Sequence, residues 1–368
     1  MNDLLSSLNS EQIKPVTDTQ GPVLVLAGAG SGKTRVLTSR IAYILQNGLS
    51  SPQGILAITF TNKAAGEMRE RLSAMLGDYS SGMWICTIHS MCVRILRQFP
   101  AEAGIKSNFS IYSETERANI IKKSFKELDF DDEKLLKDAK YHIANAKMLG
   151  LDPDTYGTRF KDIPHMDDIV CIYDKYDKHL AENNALDFDD LLLRTLRLLR
   201  GNAEAREYLS DRFKYILVDE FQDTNAVQYN IVKLLASKHK NLFAVGDDDQ
   251  SIYGWRGAEI ENILRFDKDF PDAKVYKLER NYRSTKSILN LANAIIKNNG
   301  ARHDKTLWTE AEEGEKPEYY QAEEEADEAL FAARTISRLA GRGEKYSSFA
   351  VLMRINALTR SFEQEFTK

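Results

Sequence analysis

Six short strand-like runs punctuate the chain, at residues 23–26, 54–60, 83–88, 213–220, 241–247 and 274–278. The first five are nearly continuous in apolar residues, the pattern of strands covered on both faces in a parallel sheet. Helical spacing fills the gaps between them. Residues 33–46 place Val36, Leu37, Ile41 and Ile44 on one face and stop at Asn47-Gly48, a pair suited to a C-cap. Residues 62–76 predict a polar-faced helix, and residues 90–99 a further one closed by Pro100. Residues 8–12 read as a cap opening a short helix before Pro15.

From residue 113 to about 184 the period stays helical, opening on the capping box Ser113-x-x-Glu116 and broken at Gly150 and Pro153. An inserted helical domain over 111–185 is expected, inside an α/β domain made of 1–110 and 186–280, whose pattern resumes with a helix at 187–199. Lysines 122, 123, 126, 134, 137, 140 and 147 fit either a nucleic-acid face or a solvated helix surface. A second α/β pattern covers 281–368, with helices at 286–298 and 326–339 and strands at 317–321 and 348–353.

Composition narrows the class without naming an activity. Hydrophobic residues make up 43% and charged residues 29%, an ordinary globular balance over 368 residues, which is enough for two or three domains. No apolar stretch is long enough to span a membrane, and the first ten residues lack a secretion signal. Cys86, Cys92 and Cys171 are odd in number and not spaced as metal ligands, so reduced thiols and a cytoplasmic location are expected. A net charge of −5 argues against a duplex-coating protein, yet a single-strand binder needs only a local basic groove with aromatic rings.

Chemistry concentrates at strand ends. Residues 27–34, Ala-Gly-Ala-Gly-Ser-Gly-Lys-Thr, follow the first strand and open a helix, as a phosphate cradle does. Ala27 stands where the strict pattern has its first glycine. Gly28, Ala29, Gly30, Ser31 and Gly32 would offer backbone N–H groups, Lys33 would reach the terminal phosphates, and Thr34 would hold Mg2+. Asp219 and Glu220 end another buried strand. The first carboxylate suits a magnesium anchor and the second a general base for water. Phe60, Tyr253 and Trp255 offer stacking platforms for bases, with Asn62, His89 and Arg256 placed to hold a backbone. Trp255, between Gly254 and Arg256, suits an exposed loop better than a core.

Three segments carry a specific resemblance: Asp219-Glu220-Phe221-Gln222-Asp223, residues 246–258 from Gly-Asp-Asp-Asp-Gln-Ser to Trp-Arg-Gly-Ala, and residues 278–284, Leu-Glu-Arg-Asn-Tyr-Arg-Ser. They resemble motifs II, III and IV of the UvrD/PcrA/Rep helicases of superfamily I. Residues 8–12 resemble the Q motif, 27–34 motif I, 58–65 motif Ia, and 87–90 the TFHS element, with Ile88 in place of its Phe. The resemblance implies a RecA-like P-loop NTPase motor domain with a parallel sheet, a helical insertion domain and the beginning of a second RecA-like domain. It implies ATP and Mg2+ as cofactors, and single-stranded DNA and single-strand/duplex junctions as partners. By the same resemblance Gln12 would read the adenine edge, Arg35 and Tyr282 would sandwich the ring, Gln250 would sense the γ-phosphate, and Arg283 would act as an arginine finger.

The activity so implied is ATP-dependent 3′–5′ translocation on single-stranded DNA and strand separation in repair or replication. Motifs V and VI of the family are expected beyond Lys368, with the remainder of the helicase as partner. Taken alone, the chain could instead be a nucleotide-responsive single-strand DNA-binding module without productive turnover, or part of a helicase–nuclease.

Overall fold

The computed structural model describes residues 2–368, which divide into two compact units, one running to Glu313 and one over Gly314–Lys368. The larger unit is built on β1 (Val23–Ala27), β2 (Ile55–Thr59), β3 (Trp84–Thr87), β4 (Ser110–Ile111), β5 (Ala185–Leu186), β6 (Tyr215–Val218), β7 (Leu242–Gly246) and β8 (Lys274–Leu278). Six of these form one parallel sheet in the order β3-β2-β6-β7-β1-β8. Its register pairs Leu24 with Ala244, and Ala57 with Leu217.

The continuous apolar runs follow from this placement. Because side chains alternate along a strand, each strand feeds two cores. Leu24, Leu26, Leu56, Ile58, Ile216 and Val218 face one, shared with Met91, Ile95, Leu192 and Leu196 of the helices Ile88–Gln98 and Phe188–Gly201. Val23, Val25, Ile55, Ala57, Leu217 and Phe243 face the other, under Val36, Leu37 and Ile41 of Lys33–Gln46 and Met68 of Asn62–Leu76. Helices on both faces leave the C-terminal ends of the strands as the open edge where loops can gather.

After a short helix over Asn2–Ser6, the helix expected near residues 8–12 runs Ser10–Thr17, straight through Pro15 rather than ending before it. The guanidinium of buried Arg40 donates to the carbonyls of Pro15 and Asp18, each at 2.6 Å, which satisfies the C-terminal carbonyls of that helix.

The chain leaves the main sheet at β4 and returns at β5, two short strands that pair with each other in parallel. Between them the helices Glu114–Glu127, Glu133–Met148, Pro153–Arg159 and Met166–Glu182 enclose a separate core around Phe125, Ile143, Tyr173 and Tyr176. Lys147 corrects the reading of the lysine series as a surface. Lys122, Lys123, Lys126, Lys134 and Lys137 are exposed, but Lys147 is 1% exposed. Its ammonium lies 2.7 Å from Asp190, 2.9 Å from Asp187 and 3.5 Å from Asp177, and 4.7 Å from the Tyr176 ring.

Asp187 also caps Phe188–Gly201, accepting from the Asp190 N–H at 2.7 Å while the Asp190 carboxylate accepts from the Asp187 N–H at 3.1 Å. Burial opposes ionisation of Asp187. The Lys147 charge and the Tyr176 hydroxyl outweigh it and bring its carboxyl down to about 2. The insertion is thus tied to the helix that re-enters the main domain through buried Lys147, with buried Arg117 3.7 Å from both Asp187 and Asp189.

In the smaller unit the helices Glu325–Ala340 and Thr359–Thr367 pack on one another, and Tyr320 stacks on Phe331 at 4.0 Å. The strands expected at 317–321 and 348–353 do not form. Both stretches run without ladder partners among the described residues, and 346–348 coils into a 3-10 turn. A strand needs a neighbour for its backbone hydrogen bonds, and local apolar content does not supply one.

Replacing Lys147 with Met removes the ammonium that Asp177, Asp187 and Asp190 share. The unfolding free energy is expected to fall by about 3–5 kcal/mol in denaturant titration. An unchanged midpoint would show that the buried charge contributes nothing to holding the insertion.

Candidate nucleotide site and aromatic strip

β1 ends at fully buried Ala27, and the chain then turns through residues 28–32 into the helix Lys33–Gln46. Gly30 and Gly32 take φ of 68° and 91°, the left-handed region that glycine alone enters freely. The loop is also closely packed: a Cβ on Gly30 would stand 2.7 Å from Nδ2 of Asn281, and one on Gly32 2.8 Å from Nε2 of Gln12. Asn281 donates to the Ala29 carbonyl at 2.6 Å, and the Tyr282 N–H to the Gly30 carbonyl at 3.0 Å. The N–H groups of the first helical turn remain as the positive end of that helix.

The neighbouring strand ends supply the acids. Glu220, just past β6, adopts φ 50°, unusual for a side-chain-bearing residue, and accepts from the Lys33 ammonium at 3.3 Å. Gln222 ties two strand ends together. Its Nε2 donates to Glu220 at 2.9 Å, and its Oε1 accepts the N–H of Asp247 at 3.0 Å. Burial, and then the Glu220 charge, raise the Asp219 carboxyl to about 6 against the pull of Lys33. Asp223 is raised to about 6 by the same causes. Half-buried Asp219 and Glu220 with buried Asp223 thus set three carboxylates beside the Lys33 ammonium, a local excess of negative charge at the strand end.

Ala29, Gly30, Gly32, Lys33, Thr34, Arg35, Arg71, Glu220, Gln250, Tyr282 and Arg283 line one polar cleft of about 560 Å3. The sequence-derived residues Gln12, Ala27, Gly28, Ser31 and Asp219 are not among its lining. Ala27 is a core residue of β1, and Gly28 lies against Leu307. Ser31 is buried with its hydroxyl on the Gly28 carbonyl at 2.7 Å. Gln12, 2% exposed, donates to the Ser31 carbonyl at 2.9 Å and closes a capping box with Asn9, whose Nδ2 donates to the Tyr282 hydroxyl at 2.7 Å. Arg71 escapes sequence reasoning because it sits on a polar-faced helix far from any phosphate motif. Asn281 and Gln222 lie inside quoted motifs, but their partners are 252 and 25 residues away.

A second feature joins the loops that follow β2 and β7. Phe60, Tyr253 and Trp255 form a continuous strip, with ring centroids 4.7 Å and 6.4 Å apart in turn. Trp255 is 67% exposed, and the Arg256 guanidinium lies 4.6 Å over its ring. Asn62 is an exposed first residue of its helix. His89, whose pKa burial lowers, has Phe188 as its ring neighbour at 5.9 Å, edge to face. Phe188 itself is 47% exposed and adds a ring that the strand-and-motif pattern did not single out. Ile88, where the family has Phe, is buried.

Among the described residues no helix is long and apolar enough to cross a membrane. Two family models match the chain: the UvrD/REP helicase N-terminal domain over residues 8–271, and the UvrD-like helicase C-terminal domain over residues 276–368. The ATP-dependent DNA helicase PcrA of Staphylococcus aureus is 49% identical over 372 residues, covering 100% of this chain and 50% of its own length. The protein of the same name from Staphylococcus epidermidis is 48% identical over 369 residues with the same coverage. The chain therefore spans about half the length of the curated relatives it matches. With a glycine loop, paired acids and an exposed aromatic strip on the loops that follow the strands of one parallel sheet, and with these matches over nearly its whole length, the chain belongs to the UvrD/PcrA/Rep-type helicases.

Proposed function

We propose that the chain forms the ATP-hydrolysing and strand-gripping part of a 3′–5′ DNA translocase and helicase. The observation that carries this reading is the loop after β7. It puts Gln250 in the polar cleft and, a few residues on, Tyr253 and Trp255 in the aromatic strip. One short segment thereby touches the place where phosphate chemistry would occur and the place where a base would stack.

In this reading Lys33 neutralises the terminal phosphates, and the backbone of Ala29, Gly30 and Gly32 with the helix N-terminus holds the others, the N–H groups of Gly28 and Ser31 being already bonded to the Leu278 and Gly28 carbonyls. Thr34 and Asp219 would hold Mg2+. Their hard oxygen donors and the cation-poor acid cluster fit that ion, whose charge would offset that developing on the transferred phosphate. Glu220, whose carboxylate pairs with Lys33, would orient and deprotonate water. Gln250 senses the γ-phosphate, and Arg283 stabilises its charge as an arginine finger. Arg35 and Tyr282 would hold the purine ring, with Gln12 at its edge. Single-stranded DNA lies along Phe60, Tyr253 and Trp255, with Asn62, His89 and Arg256 at its backbone. We assign 1–110 with 186–280 as the first motor domain, 111–185 as its helical insertion and 281–368 as the start of the second motor domain.

In the full-length protein, Lys33→Ala or Glu220→Gln is expected to lower DNA-stimulated ATP turnover by about 100-fold or more. Stimulated hydrolysis at the wild-type rate in either variant contradicts the proposal. Trp255→Ala is expected to weaken oligo-dT binding by about 1–3 kcal/mol in fluorescence anisotropy, the value of one stacked base. Unchanged affinity would remove the strip from the DNA path.

A further inference from the structure

We propose that Lys305 is a positioning residue for nucleotide hydrolysis, fixing Gln250 through the carboxylate of Asp247. Lys305 is 5% exposed and lies beyond the quoted motif segments. Its ammonium sits among three consecutive acids, 3.0 Å from Oδ1 of Asp247 and 2.7 Å from Oδ2 of Asp249, and it also bonds the Asp248 carboxylate. The other oxygen of Asp247, Oδ2, accepts from Nε2 of Gln250. One carboxylate thus carries the lysine on one oxygen and the cleft-lining glutamine on the other. With both oxygens engaged its plane is set, and so is the amide that it holds.

The surroundings make this arrangement stiff. Arg302 clasps Asp249 with two bonds of 2.9 Å and donates to the Lys305 carbonyl at 2.8 Å. His303 reaches Asp248 with its backbone N–H and its ring Nδ1. Two residues after Lys305, Leu307 presses on Gly28 of the phosphate loop, where an added Cβ would stand 2.2 Å from its Cδ2. Leu307 is itself held by Asn293, which donates to its carbonyl at 2.8 Å and accepts from its N–H at 3.3 Å. Segment 302–307 therefore bears on both the sensor loop and the phosphate loop.

An acid triplet packed this closely repels itself, and Lys305 is the cation that contacts all three members. Without it, Asp247 loses the partner that orients it, and Gln250 loses its fixed acceptor. The amide then samples other rotamers, and the transition state must order it at each turnover.

The relay rests on the reading that Gln250 meets the γ-phosphate, so the test separates the two. Steady-state ATP hydrolysis is measured on the full-length protein with saturating oligo-dT, for Lys305→Met, Gln250→Ala and the double variant. Lys305→Met is expected to lower kcat about tenfold and to leave the KM for ATP within about twofold, because the loss falls on the transition state. In the Gln250→Ala background the same substitution is expected to cost less than about twofold, since the residue it positions is gone. Lys305→Arg keeps the charge and is expected to recover most of the lost kcat. Should Lys305→Met fail to fold, Asp248→Asn and Asp249→Asn are added to both members of each comparison, which relieves the repulsion and leaves Asp247 in place. Equal losses in both backgrounds, or a raised KM with unchanged kcat, overturn the relay alone. An unaltered kcat in Gln250→Ala overturns the γ-phosphate reading and the relay with it.

Discussion

The structure depends first on parallel strand order. β6, β7 and β1 lie side by side and run in the same direction, so their C-terminal ends bring residues near 30, 220 and 250 to one edge. Ala27, Val218 and Gly246 are the last residues of those strands, and Lys33, Glu220 and Gln250 follow them by six, two and four positions. An antiparallel neighbour would have sent the acids to the opposite end. The Lys33–Glu220 pair follows from that constraint, because the two residues are 187 apart in the chain and meet only when the sheet is complete. Burial of the strands on both faces is therefore a condition of the chemistry as well as of stability.

The same constraint explains what can be read from the chain alone. Buried strands appear as short apolar runs, and the 28–34 loop appears because its glycines and its Lys-Thr pair are contiguous. Trp255 is recognisable from its neighbours, two small residues and an arginine, and it is exposed. Arg71 and Lys305 are different. Their roles come from partners brought in by tertiary packing, and each has the local appearance of a solvated basic residue. Lys147 shows the same limit from the other side: in a series of exposed lysines it alone meets three carboxylates from two other elements, and no spacing rule marks it.

Strands are legible only when their partners are present. The apolar residues near 350 have the composition of a strand but no ladder neighbour among the described residues, and Leu352 is 94% exposed. β4 and β5 fail in the opposite sense. They are two residues each, too short to leave a periodic signal, and they exist because the two ends of the helical insertion run side by side. Local propensity proposes an element, and hydrogen-bond partners decide whether it forms.

The cleft, the acid triplet with its lysine, and the aromatic strip form one chain of contacts along the open edge of the sheet, and the central claim is that nucleotide and single-stranded DNA occupy its two ends together. A crystal structure of the full-length protein with a non-hydrolysable ATP analogue, Mg2+ and a short oligo-dT tests this most directly. The account predicts the γ-phosphate on Lys33 and Gln250, the metal on Thr34 and Asp219, and a base stacked on Trp255. A nucleotide bound away from the 28–34 loop, or DNA passing elsewhere than Phe60, Tyr253 and Trp255, would contradict it.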